Sequence, residues 1–363
     1  ASAMPLVVGV SAILGSFFII FLFTLFTDVS VFALNLITGL GLGLGIDYAL
    51  LIVNRFREEL HAGKSVDESV INTVATAGKT VFYSGLTVFV TLASLLLFPL
   101  NFLKSFGYAG IAVISLAVLG ALIPLPALLA ILGHKIDKGV VRKAGIVPSE
   151  DGRWAHTARN VMKRPVPVVI GSLLILGVLA APITNIAFAQ VDARVLPKSD
   201  PAAVASVVIE ERFTGLEGSP IEVVIPNGKG KEIEINNFLA RVQGVYGIAR
   251  VGQIEYFGND VRVQVISSEQ SRTLDAQRII HDIRDLPVPE GTLIGGAAAD
   301  FTDSQDGIAR ALPWALGWIA LTVFILIFVF TGSIILPIKA VLLNALSLIA
   351  TLGAVTWILL MVT

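Results

Sequence analysis

Residues 39–48 read Gly-Leu-Gly-Leu-Gly-Leu-Gly-Ile-Asp-Tyr, an apolar run whose one charge is the acid at Asp47. The run lies inside Ser30–Val53, which holds no other charged residue. A bilayer core needs roughly 20 apolar residues as a helix, so this stretch reads as a membrane span. A carboxyl inside a span costs roughly 2.5–3.5 kcal/mol on insertion scales. Asp47 precedes Arg55 by eight residues, about 12 Å at a rise of 1.5 Å per residue. That depth is too great for a short side chain to reach the surface. Such an acid is expected to face the interior of a helix bundle. Taking up a proton removes the charge, so Asp47 is a candidate proton carrier, with the Tyr48 hydroxyl beside it. The structural alternative is an acid held by one fixed hydrogen bond.

The glycines around it form two rows. Gly39 and Gly43 share a helical face with Asp47, while Gly41 and Gly45 form a second row of small residues on a neighbouring face. Close helix packing of the GxxxG kind accounts for both rows. A phosphate cradle has no place inside a membrane span.

Working outward, the chain repeats the apolar signal. Of its 363 residues 55% are hydrophobic and 15% charged, and mean hydropathy is +0.83. Soluble domains carry about 25% charge, so much of the chain faces lipid. Spans are predicted at Met4–Phe26, Ser30–Val53, Thr80–Pro99, Leu103–Leu132, Pro165–Ile183, Pro313–Phe330 and Ile335–Val362. The N-terminal residues show no basic region before their apolar run, so they do not resemble a signal peptide. They look like a chain entered partway through. There is no cysteine, which excludes disulfides, thiolate metal sites and cysteine nucleophiles. Four scattered histidines give no metal cluster, and no cofactor or nucleic-acid partner is expected.

Lysine and arginine in short loops set orientation. The turn Thr27–Val29 has none, whereas the loop after the second span carries Arg55, Arg57, Lys64 and Lys79. The next such loop carries Lys135, Lys138, Arg142, Lys143, Arg153, Arg159, Lys163 and Arg164. Both basic loops are expected in the cytoplasm, which puts residues 189–310 on the extracytoplasmic side. The organisation predicted is four spans in residues 1–133, a basic loop at 134–164, a span at 165–188, the outer domain at 189–310 and two spans in 311–363.

The outer segment reads as α+β. Asp200-Pro201 opens a helix over Ala202–Phe213, as an N-cap followed by proline at the first helical position. Ile221–Ile225, Ile248–Val251, Val261–Ile266 and Gly291–Gly295 read as strands, with helices at Glu232–Val242 and Thr273–Ile283. The order β-α-β-β-α-β is the ferredoxin-like pattern. His281, beside Arg284 and Asp285, has no paired nucleophile or metal constellation and reads as a surface residue, so an enzyme is not expected.

The third span adds a hydroxyl stripe. Thr80, Ser84, Thr87, Thr91 and Ser94 recur at spacings of four, three, four and three, all on one helical face. Two readings stay open. The row could bond Asp47 and line a water path, or each hydroxyl could bond its own i−4 carbonyl.

These residues resemble a known family. Gly41–Leu60, reading GLGLGIDYALLIVNRFREEL, is similar to the fourth span and following loop of the mycobacterial membrane protein large (MmpL) transporters of the resistance–nodulation–division (RND) superfamily. Gly78–Ser84, reading GKTVFYS, resembles the family's segment at the start of the next helix, and Gly295–Asp300 resembles the edge of its second extracytoplasmic domain. The resemblance implies twelve spans in two related halves, of which this chain would supply the third to the ninth. It implies a membrane bundle with one porter-type, ferredoxin-like domain, and proton-motive-force-driven export of lipids or other hydrophobic molecules across the bacterial inner membrane. Asp47 and Tyr48 would be half of a proton relay. The remaining half, with a second Asp-Tyr pair on the tenth span, would come from the same gene or a partner chain. Ser84 would lie near the central pocket where family inhibitors bind, with Thr80, Thr87 and Thr91 along the same stripe. Rival readings are a non-transporting sterol-sensing-like or protein-export accessory protein, and a drug-efflux pump of the same superfamily, whose outer domains are usually much larger.

Overall fold

The computed structural model describes residues 3–137, 152–185, 199–212 and 218–362. Lys138, Arg142, Lys143, Phe213 and the first ten residues of the expected outer domain lie outside them. The chain divides into two compact units, Ala1–Ile186 with Arg310–Thr363, and Ala187–Ala309.

Among the described residues, seven helices are long and apolar enough to cross a membrane. The first unit begins with α1 (Ala3–Phe23) and α2 (Ala33–His61). Val8, Ala12, Ser16 and Ile20 recur every fourth residue along α1 and are all buried. Next come α3 (Val66–Thr73), a π-helical turn at Val74–Gly78, and α4 (Lys79–Ala93), which ends in a 3-10 turn at Ser94–Leu97. The third span was expected to begin at Thr80, yet the helical run starts at Val66. Its start is a capping box: Ser65 Oγ accepts from the Glu68 N–H, and the Glu68 carboxylate accepts from the Ser65 N–H. That Ser-x-x-Glu signature was readable in the sequence and was missed.

The fourth span, expected unbroken over Leu103–Leu132, divides into α5 (Asn101–Leu122) and α6 (Pro124–Leu132). Pro124 is the cause. It has no N–H to continue the ladder, and it crowds Ile123, which sits at φ −114°, ψ −72°. The face of α5 that packs inward is made of small residues, with Gly107, Ala109, Gly110, Ala112, Ala117 and Ala121 all buried, so neighbouring backbones can approach closely. Helices α7 (Arg153–Lys163) and α8 (Pro165–Ala180) follow.

At the end of α2 an ionic knot fastens it to α3. The nearly buried Glu59 carboxylate meets Arg55 Nη2 at 2.5 Å and Lys64 Nζ at 2.5 Å. Asn72 Nδ2 on α3 donates to it at 3.4 Å. Removing either cation would strand a carboxylate with little access to water.

The second unit holds α9 (Pro201–Arg212), β1 (Ile221–Ile225), α10 (Glu232–Gln243), β2 (Ile248–Phe257), β3 (Asp260–Ser267), α11 (Leu274–Arg284) and β4 (Leu293–Gly295). The sheet runs β2-β3-β1-β4 with every neighbour antiparallel, the ferredoxin-like arrangement that the element order predicts. Strand β2 is longer than the expected Ile248–Val251. Hydrogen bonding to β3 carries it through Gly252 and Glu255, across two register shifts. Gly258, at φ +67°, opens the two-residue hairpin loop into β3, where a type II′ turn needs positive φ.

Alternation decides which face is covered. Ile221, Val223, Ile225, Val261, Val263 and Val265 point to one side and are sealed by Ile235, Phe238, Leu239 and Val242 of α10 and Ile279, Ile280 and Ile283 of α11. The other face is polar: Arg262 Nε and Nη2 grip the Glu222 carboxylate at 2.9 Å each, and Gln264 Nε2 adds a bond at 3.0 Å. These donors, Arg262 first, hold the Glu222 carboxyl below the usual glutamate range.

Gly296 joins β4 to α12 (Ala297–Thr331), at φ +95° with the Pro220 carbonyl 2.4 Å from where a Cβ would stand. No other residue fits there. On α12, Asp303 takes a bidentate bond from Arg284, at 2.5 and 3.0 Å, and Asp306 meets His281 Nε2 at 2.8 Å. His281 is thus an exposed residue of the α11–α12 contact. The chain ends in α13 (Ile335–Val362), which packs against α8 so closely that a Cβ on Gly353 would meet the Leu179 carbonyl.

Candidate functional site

The site is built on α2, which packs against α1 and reaches α4 through the Tyr48 and Ser84 hydroxyls. Helix α2 presents two unlike faces. On one, Gly41 and Gly45 are buried against α1: a Cβ on Gly45 would stand 2.9 Å from the Gly9 Cα, and one on Gly41 would stand 2.4 Å from the Ile13 Cγ1. Backbone here touches backbone. On the other face Gly39 and Gly43 are exposed and a Cβ on either meets nothing within 4 Å. The packing expected of all four glycines therefore applies to one row, and the second row is open.

Asp47 lies on that open face. It was expected to face the bundle interior, but it is exposed, and among the described residues it has no hydrogen-bond or ion-pair partner. The reason is angular. Asp47 stands four residues from Gly43 and eight from Gly39, so it shares their side of the helix, while the neighbouring position turns inward.

That neighbour is Tyr48, which is buried among Ala49, Ile52, Val81 and Ala117. Its hydroxyl stands 3.4 Å from Ser84 Oγ on α4. Gly85, the next residue of α4, lets α4 close on α5: a Cβ there would lie 2.2 Å from Val118 Cγ2, with the Tyr48 hydroxyl in ordinary contact at 3.8 Å. Sequence reading passed over Gly85, although a glycine next to Ser84 in an apolar helix was a signal of close approach.

The rest of the hydroxyl stripe turns back on its own helix. Thr87 and Thr91 each donate to the carbonyl four residues earlier at 2.8 Å, Ser94 donates to Thr91 O at 2.6 Å, and Thr80 to Thr76 O at 3.4 Å. Of the two open readings, carbonyl bonding describes these four, and Ser84 alone reaches another helix. None of them reaches Asp47.

Helix α12 closes one side of α4. Trp318 Nε1 donates to the Val90 carbonyl at 3.3 Å, and the Phe330 and Tyr83 rings stand 4.9 Å apart. Between them lies a cleft of about 210 Å³ lined by Thr80, Tyr83, Ser84, Thr87, Leu326, Ile327 and Phe330. A second, apolar cleft of about 280 Å³ lies between α4 and α5, lined by residues that include Phe82, Gly85, Phe89 and Ser115. Both are smaller than the roughly 300–1,000 Å³ typical of drug-sized ligand sites. Each has room for a short apolar segment. No group of three or more metal-ligating side chains occurs among the described residues.

Residues 3–168, which contain α1 to α7 and the Asp47–Tyr48–Ser84 arrangement, match the model of the MMPL family. Over those residues the chain is similar to the MMPL family. Relatives extend the likeness along nearly the whole chain. A membrane protein of Streptomyces coelicolor is 38% identical over 360 residues, which make up 99% of this chain and 49% of that protein. The trehalose monomycolate exporter MmpL3 of Mycobacterium tuberculosis is 30% identical over 401 residues, 99% of this chain and 42% of the exporter. The chain thus spans about half the length of the relatives it matches. Among solved structures, the hedgehog release protein Disp of the water bear Hypsibius dujardini aligns with a TM-score of 0.67 at 14% identity, covering 98% of this chain and 54% of that one. At that identity the likeness is one of fold.

Proposed function

We propose that the chain is the central part of a transporter driven by the proton-motive force, which exports lipids or other hydrophobic molecules across the bacterial inner membrane. The observation that carries this reading is the placement of Asp47: inside a span, on an open helix face, next to a tyrosine that is tied to the following span. The name of the mycobacterial relative, a trehalose monomycolate exporter, supports a lipid as cargo.

In this reading Asp47 and Tyr48 are one half of a proton relay, and the open face with Gly39 and Gly43 receives the other half, which belongs to the remainder of the transporter. An ionised Asp47 favours water or a cationic partner, and a protonated one tolerates an apolar neighbour. Each proton therefore changes what α2 prefers to pack against, and a population of two helix arrangements shifts accordingly. The Tyr48–Ser84 contact passes that shift to α4. Thr80, Thr87 and Thr91, bonded to carbonyls four residues earlier, are not part of the relay. Residues 189–310 lie on the extracytoplasmic side, where they meet cargo.

The test is Asp47→Asn in the full-length protein, with export measured in vesicles under an imposed proton gradient. The variant should insert and fold as the parent does and lose gradient-driven export. Parental export by a well-inserted Asn variant would overturn the proton-relay reading.

A further inference from the structure

Helix α12 touches α4 at two places and leaves a gap beside one of them. Trp318, Thr322, Leu326 and Phe330 recur every fourth residue and form one ridge of α12. Trp318 Nε1 bonds the Val90 carbonyl at one end of that ridge, and the Phe330 ring meets the Tyr83 ring at the other. The cleft of about 210 Å³ adjoins the second contact, between the hydroxyl side chains of α4 from Thr80 to Thr87 and an apolar wall that includes Leu326 and Ile327. Most of those hydroxyls are already engaged. Thr80 and Thr87 donate to carbonyls of their own helix, and Ser84 pairs with Tyr48. An alkyl chain entering the cleft therefore strands no donor of theirs. The Tyr83 hydroxyl is the exception, because among the described residues it has no hydrogen-bond partner.

The mouth of the cleft carries a cation. Lys79, next to Thr80, holds its ammonium 5.8 Å from the centre of the Phe330 ring. A ring face attracts an ammonium at that range without neutralising it. Among the described residues Lys79 has no carboxylate partner, and neither does Lys339 near the start of α13. The depth of this mouth follows from the chain. Helix α12 ends at Thr331 and α13 starts at Ile335, and both are long and apolar enough to cross a bilayer. Two such helices joined through Gly332, at φ +67°, turn at a membrane surface. Phe330 is next to that turn, so Lys79 stands at headgroup depth. From there the cleft runs inward along α4 from Thr80 to Thr87, about 10 Å at 1.5 Å per residue.

We propose that the α4–α12 cleft is a binding site for one anionic phospholipid. The upper part of an acyl chain lies between the two helices, the phosphate pairs with the Lys79 ammonium, and the Tyr83 hydroxyl donates to a headgroup or ester oxygen. Charge selects the class of lipid: basic pockets between spans attract anionic headgroups, and a headgroup that carries its own cation gains less from Lys79. The bound lipid fills the gap that α12 leaves and fastens it to α4. The site is separate from Asp47 and independent of the transport reading.

The test titrates the full-length protein in detergent with phosphatidylglycerol or phosphatidylcholine and counts bound lipids by native mass spectrometry. The parent should hold one phosphatidylglycerol several-fold more tightly than phosphatidylcholine. Lys79→Gln should weaken phosphatidylglycerol binding by about fivefold, the effect of one charge at the membrane surface, while Lys79→Arg keeps it. Tyr83→Phe, which leaves the ring on Phe330, should weaken it as well. Ile327→Trp fills the cleft and should remove this lipid whatever its headgroup. Lys79→Gln alters no packing side chain, so the charge is tested even where Ile327→Trp inserts poorly. Equal binding of the two lipids by the parent, or parental binding by Lys79→Gln, would overturn the proposal. So would retention of the lipid by a well-inserted Ile327→Trp. Displacement of the lipid by millimolar inorganic phosphate would overturn the acyl-chain half, by reducing the site to one for a free anion.

Discussion

The Tyr48 hydroxyl of α2 stands 3.4 Å from Ser84 Oγ of α4, while the adjacent Asp47 points to the open side of the same helix. One residue of helical rotation separates a side chain tied to the bundle from one exposed beside it. A change at Asp47 therefore has a short covalent path to a contact between two spans.

That contact is long for a hydroxyl pair, so it should contribute little stability. Tyr48→Phe and Ser84→Ala in a double-mutant cycle should show a coupling energy below about 1 kcal/mol, measured by reversible unfolding in detergent. In the full-length protein the same two substitutions should reduce export more than they reduce stability. A coupling of several kcal/mol would mark the pair as a structural strut instead.

The two glycine rows of α2 should respond in opposite directions. Gly45→Ala forces a methyl to 2.9 Å from the Gly9 backbone, and overpacking of this kind costs roughly 1–3 kcal/mol. Gly43→Ala meets open space and should gain up to about 1 kcal/mol from helix propensity. Thermal melts of the two variants separate the cases; equal shifts would contradict the packing of α1 on α2.

Gly85→Ala should destabilise the α4–α5 pair by a similar amount, because the new methyl lands on Val118. Val118→Ala, combined with it, should restore most of the loss. Recovery of less than half in the double variant would assign the damage to Tyr48 or to the helix backbone.

In the second unit the Glu222–Arg262 pair predicts an acid-sensitive sheet. Arg262 holds the folded-state Glu222 below its ordinary value of 4.5, so the pair's contribution is fully present above about that pH. It is lost as pH falls through the lower folded value. Amide exchange of β1 and β3 should rise below pH 4.5 in the parent, and Glu222→Gln should flatten that rise.

The bidentate Arg284–Asp303 bond ties α11 to the first turns of α12. Asp303 is more than half exposed, so Asp303→Asn should cost under about 1 kcal/mol. The local sign would be faster amide exchange at residues 297–306 with little change in the melting point.

Sequence alone determined the membrane class, the span positions to within a turn in most cases, and the ferredoxin-like order of the second unit. Those features follow from periodicity and from the exclusion of charge from lipid, which are local properties of the chain. The capping box at Ser65 and the break at Pro124 were local too and were within its reach. Which glycine row packs was not, because Gly39 to Gly45 alternate identically in sequence and only the position of α1 distinguishes them. The direction of Asp47 was decided the same way: an acid in a span announces its cost, but the neighbouring helices decide which side of α2 is covered. The hydroxyl stripe gave one face and two chemistries, and the choice between them rested on which oxygen a partner helix could reach. Only Ser84 has one, the Tyr48 hydroxyl of α2, while the adjacent Gly85 lets α4 close on Val118 of α5.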